Sequence, residues 1–87
     1  MEQYFILLIE DIEKVEWVSF KEKIDLALDW IRIMPNSFIL KTTSDTSKWY
    51  ARLKPVLTNT SFFITEININ NRTGFMTQSK WNWINKK

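Results

Sequence analysis

The residues best suited to chemistry are two adjacent carboxylates, Glu10 and Asp11. They follow the segment Tyr4-Phe5-Ile6-Leu7-Leu8-Ile9, which is apolar throughout and is typical of a β-strand. Carboxylates at the end of a strand can hold a divalent cation that polarises a phosphodiester and orients an attacking water. Glu10 and Asp11 are therefore the candidate catalytic and metal-binding residues. The simpler interpretation is a solvated acidic turn, since a lone acidic pair is a signal of low specificity.

The composition narrows that chemistry. The chain of 87 residues contains no cysteine and no histidine. Disulfide scaffolds, thiol catalysis and cysteine-ligated zinc are excluded, and the commonest general base is missing. A metal would be bound by oxygen ligands alone, which favours Mg²⁺, Mn²⁺ or Ca²⁺. The sequence predicts no resident cofactor, with Mg²⁺ as the ion if Glu10 and Asp11 do form a site.

Charge is distributed unevenly along the chain. Residues 1–29 contain eight acidic and three basic residues, a net charge of −5, whereas residues 30–87 contain nine basic and two acidic residues, a net charge of +7. This asymmetry is typical of a nucleic-acid-binding surface, and equally of a solvated acidic helix combined with a basic tail. The candidate phosphate-binding residues are Arg32, Lys41, Arg52, Lys54, Arg72, Lys80, Lys86 and Lys87.

The first half of the chain predicts a strand, a helix and a second strand. The first strand covers Gln3 to Glu10. Ser19 and Glu22 have the spacing of a capping box, which places the start of a helix at Ser19. An apolar stripe continues at helical spacing, and the helix ends at Trp30 or Ile33, before Pro35. The stripe consists of Phe20, Ile24, Ala27, Leu28 and Ile31. The second strand is Ser37 to Thr42.

The second half predicts another helix and strand. Thr43-Ser44-Asp45 supplies the N-cap of a second helix, which ends near Pro55. Ser61 to Ile69 is the third strand. Asn70 to Gly74 is the strongest turn signal. Phe75 to Thr77 is a candidate short edge strand, after which Ser79 caps a final helical turn that carries Trp81 and Trp83.

This element order predicts an α+β fold in one domain. We expect a ferredoxin-like, βαββαβ-type sandwich: β-α-β-α-β with a short fourth strand, and an antiparallel sheet with two helices on one face. Residues 1–69 form the core and residues 70–87 form a turn and an aromatic, basic tail.

The first strand is apolar on both faces, and the third strand is similar. A half-solvated antiparallel strand should alternate apolar and polar residues, so the second face needs a cover. A symmetric second copy and the folded-back C-terminal segment are the two candidates. The expected partner-interface residues are Tyr4, Ile6, Leu8, Phe63, Trp81 and Trp83. The two tryptophans either stack on bases or pack under the sheet.

No apolar run is long enough to cross a bilayer, and Tyr4 to Ile9 is too short for a signal-peptide core. We therefore expect a cytoplasmic protein without a membrane partner.

Five segments carry a family resemblance. They are Ile9-Glu10-Asp11, Trp30 to Thr42, Asp45 to Leu57, Ser61 to Ile67, and Gly74 to Ile84, where an aromatic residue, a serine and a tryptophan precede a short terminal helix. In these segments the chain resembles the small CRISPR-associated endonuclease family that acts in spacer acquisition, the second protein of the Cas series, and its stand-alone relatives.

The resemblance implies a ferredoxin-like fold and a homodimer. In nuclease-type members an aspartate at the end of the first strand binds a divalent metal at the dimer interface, and this position falls on Glu10 or Asp11. The family's aromatic-aspartate pair is replaced here by Ile9-Glu10-Asp11. Many relatives are structural nucleic-acid binders.

Three functions follow from the sequence. The first is a homodimeric module that binds nucleic acid or a protein without catalysing a reaction. The second is a divalent-metal-dependent nuclease that uses Glu10 and Asp11. The third is a small inhibitor or adaptor from a mobile element. The balance favours a protein that is not an enzyme, because Glu10 and Asp11 are the only candidates for catalysis.

Overall fold

The computed structural model describes residues 1–86 as an α+β structure with a four-stranded antiparallel sheet and three α-helices. The strands are β1 (Gln3–Ile9), β2 (Asp29–Met34), β3 (Ser37–Thr42) and β4 (Phe62–Ile67). The helices are α1 (Trp17–Ile24), α2 (Thr46–Leu53) and α3 (Gln78–Asn85). The order across the sheet is β2-β3-β1-β4, so β1 lies inside the sheet while β2 and β4 form its edges.

One face of the sheet, here called the inner face, carries the main core. Alternate residues of β1 point to it, and α1 and α2 cover it, as expected for two helices on one face. The core consists of buried apolar residues from all these elements: Phe5, Leu7, Ile9, Phe20, Ile24, Phe38, Leu40, Trp49, Leu53 and Leu57. The buried indole of Trp49 donates a hydrogen bond from Nε1 to Thr42 Oγ1 at 3.0 Å, which satisfies the one buried polar residue of β3.

Both inner-face helices begin with a side-chain cap. The N-cap of α2 lies in the predicted segment Thr43-Ser44-Asp45: it is Asp45, whose Oδ1 accepts a hydrogen bond from the backbone N–H of Lys48 at 2.9 Å. The predicted capping box of α1 is wrong. Its N-cap is Glu16, whose Oε1 accepts from the backbone N–H of Ser19 at 2.9 Å, so Ser19 lies within the helix.

The largest correction concerns β2. The sequence predicts a helix as far as Trp30 or Ile33, but α1 ends at Ile24, and Asp29–Met34 forms a strand that pairs with β3. The turn between these strands consists of Pro35 and Asn36. Residues 29–34 form a strand in spite of their helical spacing, because β2 gains backbone pairing and cross-strand contacts with β3.

The C-terminal part also differs from expectation. Residues 68–77 form no strand, so the predicted edge strand Phe75 to Thr77 is wrong; the sheet's edges are already formed by β2 and β4. β4 is shorter than the predicted strand from Ser61 to Ile69. The N-cap of α3 is Thr77 and not Ser79, and α3 extends over eight residues.

Candidate functional site

The acidic pair lies where β1 ends, in a backbone junction with many hydrogen bonds. The N–H of Glu10 donates to Ser61 O at 2.9 Å, and the N–H of Asp11 donates to Thr60 Oγ1 at 2.8 Å. Asn36 Nδ2 donates to the carbonyl oxygens of Ile9 and Glu10 at 3.0 and 3.1 Å. The junction therefore joins β1 to the β2–β3 turn and to the segment before β4.

The side chain of Asp11 has a structural role there. Its Oδ1 accepts from the backbone N–H of Glu13 at 3.2 Å and caps a short 3-10 turn, while its Oδ2 lies 3.9 Å from Lys14 Nζ. In the part of the chain that the structure describes, no three Asp or Glu residues converge on a point that could hold a metal ion. Metal binding by Glu10 and Asp11 stays a prediction.

The candidate phosphate-binding residues do not form one surface. Arg32 and Arg52 lie against aromatic rings: the guanidinium carbon of Arg32 is 5.4 Å from the ring centroid of Trp17, and that of Arg52 is 4.8 Å from Trp49. Cation–π contacts of this kind stabilise the fold. Arg32 Nε also donates to Pro35 O at 3.0 Å.

Four others form contacts that position the tail or the start of β1. Lys80 Nζ donates to Ile33 O at 2.7 Å, and Lys86 Nζ lies 3.0 Å from Asp29 Oδ2. Arg72 donates to Ile69 O at 2.9 Å and to Asn85 Oδ1 at 2.6 Å. Lys41 Nζ lies 3.3 Å from Glu2 Oε1.

Lys54 is exposed at the end of α2, on a different element from the others. Lys87 lies outside the described residues. Because these basic residues are spread over several elements and most contact other parts of the chain, no continuous basic stripe is formed by the described ones.

The second face of the sheet, here called the outer face, is half covered by α3. Ile39 of β3 and Ile84 of α3 are both buried, with 6% and 4% of their surface exposed. Together with residues of the 68–77 loop they line a cavity of about 270 Å³. Of the two candidate covers, the folded-back C-terminal segment therefore occupies the β2–β3 half.

The two tail tryptophans contribute to this cover. Both are half-buried, and Trp81 lines the same cavity as Ile84. Trp83 packs within 5.8 Å of Lys86 Nζ, and its own Nε1 is buried. Within a single copy, both side chains thus contact their own chain, which agrees with the alternative that they pack under the sheet.

The other half of the outer face is open. Cross-strand partners form a row that runs through all four strands in the order Met34, Ser37, Leu8, Phe63. Met34, Leu8 and Phe63 are 52%, 41% and 60% exposed. Phe75, on the loop before α3, lines a surface cleft together with Met34 and is fully exposed. We call Met34, Leu8, Phe63 and Phe75 the apolar row.

Sequence reasoning found only half of this row. Leu8 and Phe63 were expected interface residues, and so were Tyr4 and Ile6, which lie half-buried on the same face. Met34 and Phe75 were missed, because Met34 was placed after a helix and Phe75 in a strand. The β-formers on both sides of Pro35, and not the turn pair itself, are the signal that could have placed Met34 on the sheet.

Three carboxylates have pKa values below their ordinary range, and all serve structural contacts. Hydrogen bonds from Ser19 lower the pKa of Glu16, and those from Lys21 and then Trp30 lower the pKa of Asp25. At Asp29, partial burial acts to raise the pKa. The hydrogen bond from Lys86 and the nearby Trp83 indole oppose it, so the net pKa is lowered.

No known family model matches the chain, and no curated protein or solved structure is significantly similar to it. The described residues contain no helix with the length and apolar character that a membrane crossing requires.

Proposed function

We propose that the chain is a small, homodimeric binding module of the cytoplasm that recognises a protein partner through the apolar row and catalyses no reaction. The observation that carries this proposal is the exposure of Met34, Leu8 and Phe63 in one row across the sheet, with Phe75 beside Met34. Large apolar side chains exposed together on one face, here interrupted only by Ser37, are typical of protein interaction sites.

A ferredoxin-like fold is part of the proposal. The element order is β-α-β-β-α-β, followed by the extra helix α3, and the order across the sheet read from the opposite edge is β4-β1-β3-β2. The resemblance to the spacer-acquisition family is compatible with a module that binds and does not cut, since it extends to relatives that serve as structural binders.

A protein partner is favoured over nucleic acid by the chemistry of the exposed residues. Nucleic-acid binding needs several cations on one surface, and its affinity falls steeply with salt. Here the open half of the outer face presents apolar side chains, whereas Lys80, Lys86 and Arg72 bind groups of their own chain. Affinity for the partner should therefore come mainly from apolar contact and should persist in salt.

Immobilised wild-type protein tests the proposal by retaining partners from an extract of its own cells in about 0.5 M salt, well above the range in which surface charges act over distance. Leu8→Asp should abolish retention. The matched control is Val18→Asp, a change of the same chemistry at a 66% exposed residue on α1, and it should leave retention unchanged.

A second measurement separates the two partner classes. Fluorescence anisotropy with labelled single- and double-stranded DNA and RNA should show no binding at physiological salt. If the labelled nucleic acid binds in a salt-sensitive way and Leu8→Asp still binds it, the partner is nucleic acid and not a protein. Equal loss of the protein partner in Leu8→Asp and Val18→Asp would remove the apolar row as the binding surface.

A further inference from the structure

The two edges of the sheet differ in how well they are protected from pairing with another strand. Natural proteins protect edge strands with bulges, charged side chains, proline or a covering element. β2 has all four: an irregularity between Arg32 and Met34, the charges of Asp29 and Arg32, Pro35 directly after it, and contacts with α3. Lys80 Nζ also donates to Ile33 O of this strand.

β4 has fewer of these features: α2 contacts it, with Tyr50 packed on Phe62, but the strand has no bulge. Its sequence is Phe62-Phe63-Ile64-Thr65-Glu66-Ile67, with one charged residue, no proline and a continuous register against β1. Aromatic and β-branched residues of this kind have high β propensity. An edge strand with such a composition is a template for pairing with another strand.

The backbone groups that are free on β4 can be identified from the register. The N–H of Glu10 donates to Ser61 O, so this pair is hydrogen-bonded, and in an antiparallel ladder such pairs alternate. Phe63, Thr65 and Ile67 therefore direct their backbone groups towards β1. Phe62, Ile64 and Glu66 direct theirs to the open edge, and no hydrogen bond from the described residues reaches them.

We infer that two copies of the chain pair antiparallel through their β4 edges, about a two-fold axis at Thr65. This rests on the homodimer of the proposed function and specifies which surface closes it. An isologous contact needs a self-complementary surface. In this register Ile64 and Glu66 of each copy exchange backbone hydrogen bonds with Glu66 and Ile64 of the other.

The side chains on the outer face fit the same register. The closely spaced, non-hydrogen-bonded pairs become Thr65 with Thr65 and Phe63 with Ile67, and Thr–Thr and aromatic–β-branched pairs are favourable across strands. On the opposite, inner face each Glu66 lies across from the other copy's Ile64, so the two carboxylates are kept apart. The chain's net charge of +2 opposes association only weakly.

The pairing also enlarges the proposed binding surface. A two-fold axis perpendicular to the sheet keeps both outer faces on the same side of one eight-stranded sheet. Each Phe63, which is 60% exposed in a single copy, then lies between its own Leu8 and the second copy's Ile67 and Tyr4. The dimer presents two apolar rows side by side.

Sedimentation velocity from about 5 to 500 µM, spanning the affinities of weak protein pairs, tests the inference. Wild type should be dimeric. Thr65→Lys places two ammonium groups opposite each other and should raise the dimer dissociation constant at least tenfold, whereas Thr65→Val should leave it within about threefold. Far-UV circular dichroism and the melting temperature check that Thr65→Lys still folds.

Disulfide cross-linking gives a second measurement, made clean by the absence of native cysteine. Thr65→Cys should oxidise to a covalent dimer, because a non-hydrogen-bonded pair has Cα atoms about 4.5 Å apart. Leu8→Cys, one strand further inside the sheet and 41% exposed, should stay monomeric on a non-reducing gel.

The outcomes separate the inference from the proposed function. A wild-type dimer that cross-links at Leu8 but not at Thr65 would show that sheet faces meet, which overturns edge pairing and keeps the homodimer. A dimer that is insensitive to Thr65→Lys and does not cross-link at Thr65 also overturns edge pairing alone. A wild type that is monomeric throughout removes both the homodimer and the edge pairing.

Discussion

The inner and outer faces of the sheet use alternate residues of the same central strand, yet they are closed to different degrees. On the inner face, Phe5, Leu7 and Ile9 are almost completely buried beneath α1 and α2. On the outer face, Ile6 is half-buried and Leu8 is 41% exposed, because α3 covers only the β2–β3 half. A strand that is apolar on both sides therefore does not require two complete covers: one face is buried in the core and the other is covered only in part.

Neighbouring leucines on β1 give the strongest test of this difference. Leu7→Ala should lower the free energy of unfolding by about 3 kcal/mol, because Leu7 is fully buried and the change leaves a cavity. Leu8→Ala should lower it by less than about 1 kcal/mol. Urea denaturation of both variants measures the difference, and equal losses would mean that the outer face is as well packed as the inner one.

Ile84 of α3 tests how much the partial cover of the outer face contributes. Ile84→Ala should cost about 2 kcal/mol, at the lower end of the range for buried isoleucines, since α3 is the only helix described on that face. The same urea titration measures it. A loss as large as that of Leu7→Ala would indicate that α3 belongs to the main core.

The cap of α2, on the inner face, should contribute more to stability than the cap of α3, on the outer face. Asp45→Ala should cost about 1 kcal/mol, because it removes the side-chain cap of α2. Thr77→Ala should lower the free energy of unfolding by only about 0.3 kcal/mol, since the Thr77 side chain makes no capping hydrogen bond to α3. Thermal unfolding of both variants is the measurement, and a larger effect at Thr77 would contradict the assigned caps.

The smallest expected effect is the pH dependence of the contact between Asp29 and Lys86. The pKa of Asp29 is lowered in the folded state, so its contribution to stability is present above the ordinary aspartate pKa of about 3.9 and is lost as pH falls through the folded-state value. The effect is small because the pair is largely solvent-exposed.

Wild type should therefore lose more stability between pH 5 and pH 3 than Asp29→Asn does. Urea titrations at both pH values measure this. The carboxylates of Glu16 and Asp25 have pKa values lowered in the same direction, so both proteins retain a common acid sensitivity from α1. An identical loss in the two proteins would exclude a contribution from the Asp29–Lys86 contact.

Local sequence was sufficient to predict secondary structure where a segment's tertiary contacts favour the same structure as its own residues do. The strand Ser37–Thr42 was predicted at its observed position and the cap of α2 to within the segment Thr43-Ser44-Asp45, because β-formers and capping side chains act locally. β2 was missed because Ile24, Ala27, Leu28 and Ile31 also fit a helical stripe. Its hairpin turn, Pro35-Asn36, lacks the glycine-containing signature of common two-residue turns, and no residue of the described chain has a positive φ.

The candidate site was predictable only in part for a related reason. Leu8 and Phe63 could be placed on the outer face from the alternation of β1 and β4 alone. Met34 lies beside them only because β2 pairs with β3. Lys80 is half-buried only because α3 folds back, so that its ammonium group donates to Ile33 O. Contacts between distant segments, which no local pattern encodes, decide which basic and apolar residues remain exposed.

The central position of β1 has a consequence for synthesis on the ribosome. β1 is made first, but one of its partners, β4, is made last among the strands: Phe5 pairs with Glu66, 61 residues later. At about 5–20 residues per second, the completed strand waits roughly 3–12 s for that neighbour. During this interval Phe5, Leu7 and Ile9 have no finished core to enter. The nascent chain should therefore be a substrate for chaperones that bind short apolar segments near the ribosomal exit.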